Sequence, residues 1–333
     1  MEPRSIFTIS LDFELHWGGF EKWEESSYHD YFLKTREIIP IILKAFERSG
    51  IHATWATVGL LLHKEKSDWQ RTFPSLFPTY DNISLSAYEY IKNSEMGRNE
   101  IEDPLHFADS LVRKIISTPH QELGSHSFAH YYCNESGQNP EQFNEDALSW
   151  NKAASSFDVK AKSLVFPRNQ FNKDYLKICF ANNIRIVRTN PSVWWWDIKS
   201  TQNESKWKRL NRGLDAYISL GIRTSYPLTK IISEEGVYLL SASRLLRPYN
   251  PKEFFLNNLK IERIKKEMFE AAINNECYHL WWHPHNFGNF SKENMNGLIS
   301  ILNHYQYLNK EYGMISLNMQ EIADLLSSNH KHQ

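Results

Sequence analysis

Apolar and polar residues alternate from Ile6 to Asp12. Phe7, Ile9 and Leu11 fall on one face, Thr8, Ser10 and Asp12 on the other, and Glu14 continues the polar row. The pattern predicts a strand whose polar face ends in carboxylates. From about Tyr31 to Ser49, Ile38, Ile42, Leu43 and Phe46 recur at helical spacing and stop at Gly50. Ile51 to Val58 is rich in β-branched and aromatic residues and ends at Gly59, which predicts a second strand. Strand, helix and strand in that order favour a parallel pair.

Residues 64–104 are polar and weakly periodic and are expected to form an insertion. Helical spacing resumes at Leu105 to Ile116, Gln121 to Ser125 leads into a histidine-bearing segment, and Lys162 to Phe166 reads as a short strand closed by Pro167. A helix at Asp174 to Asn182 and strands at Ile184 to Arg188 and Tyr278 to Trp282 follow. A helix at Lys292 to Leu308 and a last strand and helix at Met314 to Leu317 and Met319 to Leu326 complete the pattern. Residues 190–250 mix Trp, Asn, Ser, Lys and Arg without period and are expected to be a second insertion that could cover a site. Neither G-x-G-x-x-G nor a P-loop occurs, so nucleotide-binding readings lose weight. Repeated strand–helix units point to a barrel-like α/β fold, with residues 1–333 as a single domain carrying two insertions.

Composition narrows the picture. Of 333 residues, 41% are hydrophobic and 23% charged, which suits a globular chain with ample core. A net charge of −1 supplies no bulk drive toward nucleic acid or an anionic membrane. No apolar run approaches the ~18 residues of a membrane span, and Met1 to Ser5 carries no leader pattern, so a cytoplasmic location is expected. Nothing in the chain sets an oligomeric state. Cys133, Cys179 and Cys277 are odd in number and far apart, which favours buried free thiols over a disulfide framework or a cysteine-built zinc site. Aromatic residues reach 14%, with 11 Trp, several beside polar residues, where flat rings suit the apolar faces of sugars.

Four segments carry candidate chemistry, and each stands just past a predicted strand, where parallel α/β folds build their sites. Asp12, Glu14 and His16 lie at the first strand end. His126 and His130 are spaced i, i+4, which puts both imidazoles on one face if a helical turn forms there. Arg168, in Phe166-Pro167-Arg168-Asn169, could hold a carboxylate bidentately. His279, His283 and His285 alternate onto one face at the late strand end, next to Asn286. Arg244 and Arg247 sit at i, i+3 and could meet an anionic sugar or a diphosphate.

In this order the segments resemble the metal-dependent polysaccharide deacetylases (carbohydrate esterase family four and its relatives). SLDFE at Ser10 to Glu14 approximates the family's opening strand end, and IHATWATVG at Ile51 to Gly59 its second strand. ELGSHSFAH at Glu122 to His130 resembles the paired-histidine motif, FPRN the arginine motif, and HLWWHP at His279 to Pro284 the late strand with its catalytic histidine. One departure is that Phe13 stands where the family has a second aspartate. Strand alternation turns Phe13 away and keeps Glu14 beside Asp12, so the division of roles between these carboxylates is open.

The resemblance implies a distorted (β/α) barrel and a hydrolase of non-peptide carbon–nitrogen bonds that removes an acetyl group, most naturally N-acetyl, from a carbohydrate of surface-polysaccharide or cell-wall metabolism. It implies Glu14, His126 and His130 as ligands of one divalent ion, zinc first, with cobalt, nickel or iron as options. Asp12 is then the base, oriented by Arg168, and His283 the acid. His285, Asn286, Trp17 and Arg247 are the substrate-binding candidates. The alternatives are a related amidohydrolase of small amides, a non-catalytic glycan-binding protein, and a glycosidase using Asp12 and Glu14.

Overall fold

In a computed structural model, residues 4–191, 193–196, 206–217, 221 and 223–330 are described. The strands are β1 (Ile6–Phe13), β2 (Ala53–Thr57), β3 (Gln121–Ser125), β4 (Ser163–Val165), β5 (Ile186–Thr189), β6 (Ser233–Glu234), β7 (Val237–Ser241), β8 (Arg244–Leu245), β9 (Cys277–Trp282) and β10 (Ile315–Ser316). The helices are α1 (Glu25–Ser49), α2 (Lys66–Thr72), α3 (Ala87–Asn93), α4 (Asp109–Ser117), α5 (Pro140–Ala154), α6 (Leu176–Ala181), α7 (Lys206–Asp215), α8 (Phe254–Ile273), α9 (Ser291–Tyr312) and α10 (Met319–His330).

All strands join one sheet in the order β6-β7-β5-β4-β3-β2-β1-β9-β8, with β10 also on β1, and every pairing except β6 with β7 is parallel. The sheet is rolled. On a flat sheet, four strand spacings from β5 to β1 would measure about 19 Å, yet the Arg188 guanidinium on β5 bonds Asp12 on β1 directly. Consecutive residues bring the two edges together: Ala242 N–H donates to Thr189 O on the β5 side, and Ser243 N–H to His279 O on the β9 side, both at 2.8 Å. This is the expected (β/α) barrel-like α/β fold.

Strand β1 is buried at all eight positions. Phe7, Ile9, Leu11 and Phe13 face outward and pack with Ile38, Ile39, Ile42 and Phe46 of α1 in the main core. The polar row of Ser10 and Asp12 therefore looks into the barrel rather than into water, and Ser10 Oγ meets His279 Nε2 at 2.8 Å. Helix α10 plugs the floor, where Met319, Ile322, Ala323 and Leu326 pack against Ile6, Ala56, Ile186 and Leu240. Its first amides are satisfied from inside, Met319 N–H by Thr54 Oγ1 at 2.9 Å and Gln320 N–H by buried Glu122 at 3.0 Å.

Residues 64–104, expected as an insertion, contain the short helices α2 and α3. The stretch 190–250 is not wholly an excursion, because β7 and β8 within it belong to the barrel wall, while 197–205 lie outside the described residues. Helices α5 and α8 fall where no element was expected. The three cysteines are buried free thiols, and among the described residues no helix is long and apolar enough to cross a membrane.

Candidate active site

Asp12 closes the inward row of β1, and Glu14 follows one residue past the strand. Leu15 then takes a left-handed φ of 46°, which breaks the alternation. Glu14 stays at the barrel mouth, whereas His16 is carried into the core against Trp23 O (2.7 Å) and His106 Nε2 (3.0 Å). Gly18 makes room for the bend, since a β carbon there would collide with the Glu14 carboxylate.

His126 and His130 follow β3, but no helical turn joins them. Ser127 and His130 are left-handed at φ 61° and 54°, and the segment is an irregular loop clamped from outside. Asp146, from the buried face of α5, accepts the amides of Phe128 at 2.7 Å and Ala129 at 3.0 Å. So clamped, the loop places His126 Nε2 and His130 Nε2 at 3.2 and 3.1 Å from the same oxygen, Glu14 Oε2. The other ring nitrogens are engaged: His126 Nδ1 donates to Val165 O at 2.8 Å, and His130 Nδ1 bonds Tyr132 Oη at 2.9 Å. Two imidazoles oriented through their far nitrogens, with both near nitrogens turned on one carboxylate oxygen, fit a divalent cation.

The other side of the mouth belongs to β9 and the turn after it. His283 Nε2 stands 3.6 Å from Asp12 Oδ2 and 3.5 Å from Glu14 Oε1, with 26% of its side chain open to the cleft. His285 Nδ1 lies 3.7 Å from Glu14 Oε1. Its ring rests among Trp23, Tyr31 and Phe32, and Nδ1 has no hydrogen-bond partner among the described residues. Burial, with help from His283, pushes His285 down to about 3, so it is neutral near pH 7.

The guanidinium that grips Asp12 is that of Arg188, not Arg168. Its Nη1 and Nη2 donate to the two carboxylate oxygens at 2.6 and 2.7 Å, and Nη2 also to Asn169 Oδ1 at 2.8 Å. Nη1 further reaches Ser10 Oγ at 3.0 Å, and the plane lies 4.3 Å over the Trp281 ring. Burial alone would raise Asp12, but Arg188, His283 and His126 outweigh it and hold the carboxyl below its usual range. Glu14 is likewise opposed by burial yet held well below by His283 and the hydrogen bonds of His126 and His130. The FPRN segment thus reaches Asp12 through Asn169. Arg168 instead pairs with Glu21 and lies 4.2 Å over the ring of Tyr132, the residue that orients His130.

A cleft of about 530 Å³ opens onto these groups, walled in part by Trp23, Arg168, Arg247, Lys260, His285 and Asn286. Trp17, expected at the substrate, is instead wholly buried in the core, with its indole N–H on His106 O at 3.1 Å. The cleft's indole is Trp23. Arg244 is also withdrawn, paired with Glu267 at 2.6 Å and Asp215 at 3.4 Å, while Arg247 does line the cleft. The sequence reading missed Arg188 and Asp146. Arg188 is the last residue of the strand expected at Ile184 to Arg188, and that place at a strand end was the signal that could have found it. Asp146 interrupts the buried stripe Phe143, Trp150, Ala153 of α5.

No family model matches the sequence, and no curated protein is significantly similar to it. Solved structures of similar fold do exist. A protein from Mycobacterium smegmatis named as a polysaccharide deacetylase is 11% identical, over 99% of this chain and 92% of that one, with a TM-score of 0.61. Another so named from Pseudomonas aeruginosa is 11% identical over 98% and 92%, with a TM-score of 0.55. A GH57-type branching enzyme from Pyrococcus horikoshii is 10% identical over 96% and 70%, with a TM-score of 0.53. At such identities the likeness establishes the fold.

Proposed function

We propose that the chain is a divalent-metal-dependent hydrolase that removes an N-acetyl group from a carbohydrate. One observation carries this reading: Glu14 Oε2 lies within 3.2 Å of two histidine Nε2 atoms, while ionised Asp12 and His283 face the same mouth from the other side. The names of the two bacterial proteins of similar fold agree with it.

Glu14, His126 and His130 would hold the cation, which supplies Lewis acidity toward an acetyl carbonyl and its attacking water. Asp12 takes the water proton at Oδ2, the oxygen nearer His283. Arg188 fixes that carboxylate with a bidentate grip and keeps it ionised, the role the resemblance gave to Arg168. His283 returns a proton to the leaving nitrogen, being partly exposed to the cleft and within reach of both carboxylates. Neutral His285 closes the wall against water, and Trp23, Asn286 and Arg247 stand where a sugar would rest.

A glycosidase built on Asp12 and Glu14 needs one of them protonated as the acid. Both are held below the ordinary carboxylate range, so this chemistry is disfavoured. The test is elemental analysis of the purified chain, joined to acetate release from an N-acetylglucosamine oligomer with and without chelator. Bound metal and chelator-sensitive acetate are expected. An unchanged number of ions per chain in both His126→Ala and His130→Ala would overturn the ligand set. Failure to release acetate from any N-acetylated sugar would overturn the reaction.

A further inference from the structure

At the opposite end of the barrel from the cleft, three metal-ligating side chains from separate parts of the chain converge. His52 stands just before β2, His120 just before β3, and Glu321 in the first turn of α10. Glu321 Oε2 and Oε1 lie 2.7 and 2.9 Å from His52 Nδ1. The two imidazoles stack with centroids 3.9 Å apart and planes within 3°. One donor atom of each residue lies within 4.8 Å of the other two.

His120 has a φ of 65°, a backbone that residues with a β carbon seldom take and that glycine or asparagine would take more readily. With that backbone its ring lies over His52. Two imidazoles and a carboxylate form a donor set for borderline divalent ions. We infer that His52, His120 and Glu321 form a second cation site, for an ion of the Zn²⁺ or Ni²⁺ kind, distinct from the candidate active site. Two ligands each about 2.1 Å from one ion stand at most about 4.2 Å apart. Ring nitrogens donate in the plane of the ring, so the exposed His120 ring must leave the stack and tilt its plane toward the ion to complete the set.

The site's place in the fold gives it a structural role. Asn318 N–H donates to Glu321 Oε2 at 2.9 Å, and the next two amides of the same turn are held by Thr54 and Glu122 from inside the barrel. An ion here ties the start of the floor helix to the loops entering β2 and β3. None of its ligands lines the catalytic cleft, so the inference stands apart from the deacetylase reading.

The test counts zinc per chain after dialysis against micromolar Zn²⁺ for the wild type, His120→Asn, Glu321→Gln and His126→Ala, with thermal unfolding measured alongside. His120→Asn suits the same backbone, and Glu321→Gln retains an acceptor for Asn318, so both should fold. The expected result is two ions in the wild type and one in each variant, with zinc raising the unfolding temperature of the wild type more than that of His120→Asn. If the active-site ligands alone are misassigned, the wild type binds one ion, His126→Ala keeps it and His120→Asn loses it. Wild-type stoichiometry in both His120→Asn and Glu321→Gln overturns the floor site.

Discussion

Arg188 is buried and makes three kinds of contact at once: a fork on Asp12, a bond to Asn169 and a stack on Trp281. Lysine keeps the charge but has neither the fork nor the flat face. In Arg188→Lys, Asp12 loses its fixed orientation while the proposed metal ligands are untouched. We expect kcat to fall by about 100-fold, the cost of a displaced reacting group, with metal content unchanged. Near-normal kcat in this variant would show that the grip on Asp12 does not matter to turnover.

At the scale of elements, the placement of the paired histidines depends on helix α5, which contributes no side chain to the proposed ligand set. The loop from Ser125 to His130 contains two left-handed residues and has no regular structure of its own, so its shape is set by α5 through Asp146. In Asp146→Asn the amide offers one acceptor in place of two, and one buried N–H of Phe128 or Ala129 goes unpaired. Groups bonded directly to metal ligands change affinity by about 10–100-fold; Asp146 acts one step farther out, through the loop backbone, so about 10-fold is expected. The expected outcome is a loss of that order in chelator competition, with circular dichroism unchanged; equal affinity would assign Asp146 a purely structural part. The same dependence explains how two histidines spaced i, i+4 meet at Glu14 without the helical turn that the spacing suggested.

At the scale of the molecule, buried neutral histidines govern acid stability. Burial pushes His63 down to about 4, against its bond to Leu60 O, and His16 to about 4 as well. Both folded values lie below the ~6.5 of an unfolded histidine, so the unfolded chain binds more protons in between. Their contribution is full above pH ~6.5 and is lost as pH falls toward 4, on the order of 3 kcal/mol for His63. Denaturation midpoints should therefore drop between pH 7 and 4, and His63→Gln should flatten that drop. Parallel curves for the two proteins would remove His63 from the account.

The chain by itself determined the local, periodic features. Alternation located β1 and the carboxylates at its end, and helical spacing ending at Gly50 marked α1. Apolar runs bounded by Pro167 and Gly59 marked strands whose ends gather at one mouth. These features are legible because strand and helix periods act over a few neighbouring residues. What needed the tertiary structure was everything decided by the rolling of the sheet. That rolling brings Arg188 across the interior to Asp12, sends the polar row of β1 inward, and places 237–245 in the barrel wall. A left-handed residue at 15 separates Glu14 from His16 and buries Trp17, and no spacing rule predicts a broken period. The partner of a buried carboxylate is chosen by which side chains share an enclosed space, and closure of the barrel, not order along the chain, defines that space.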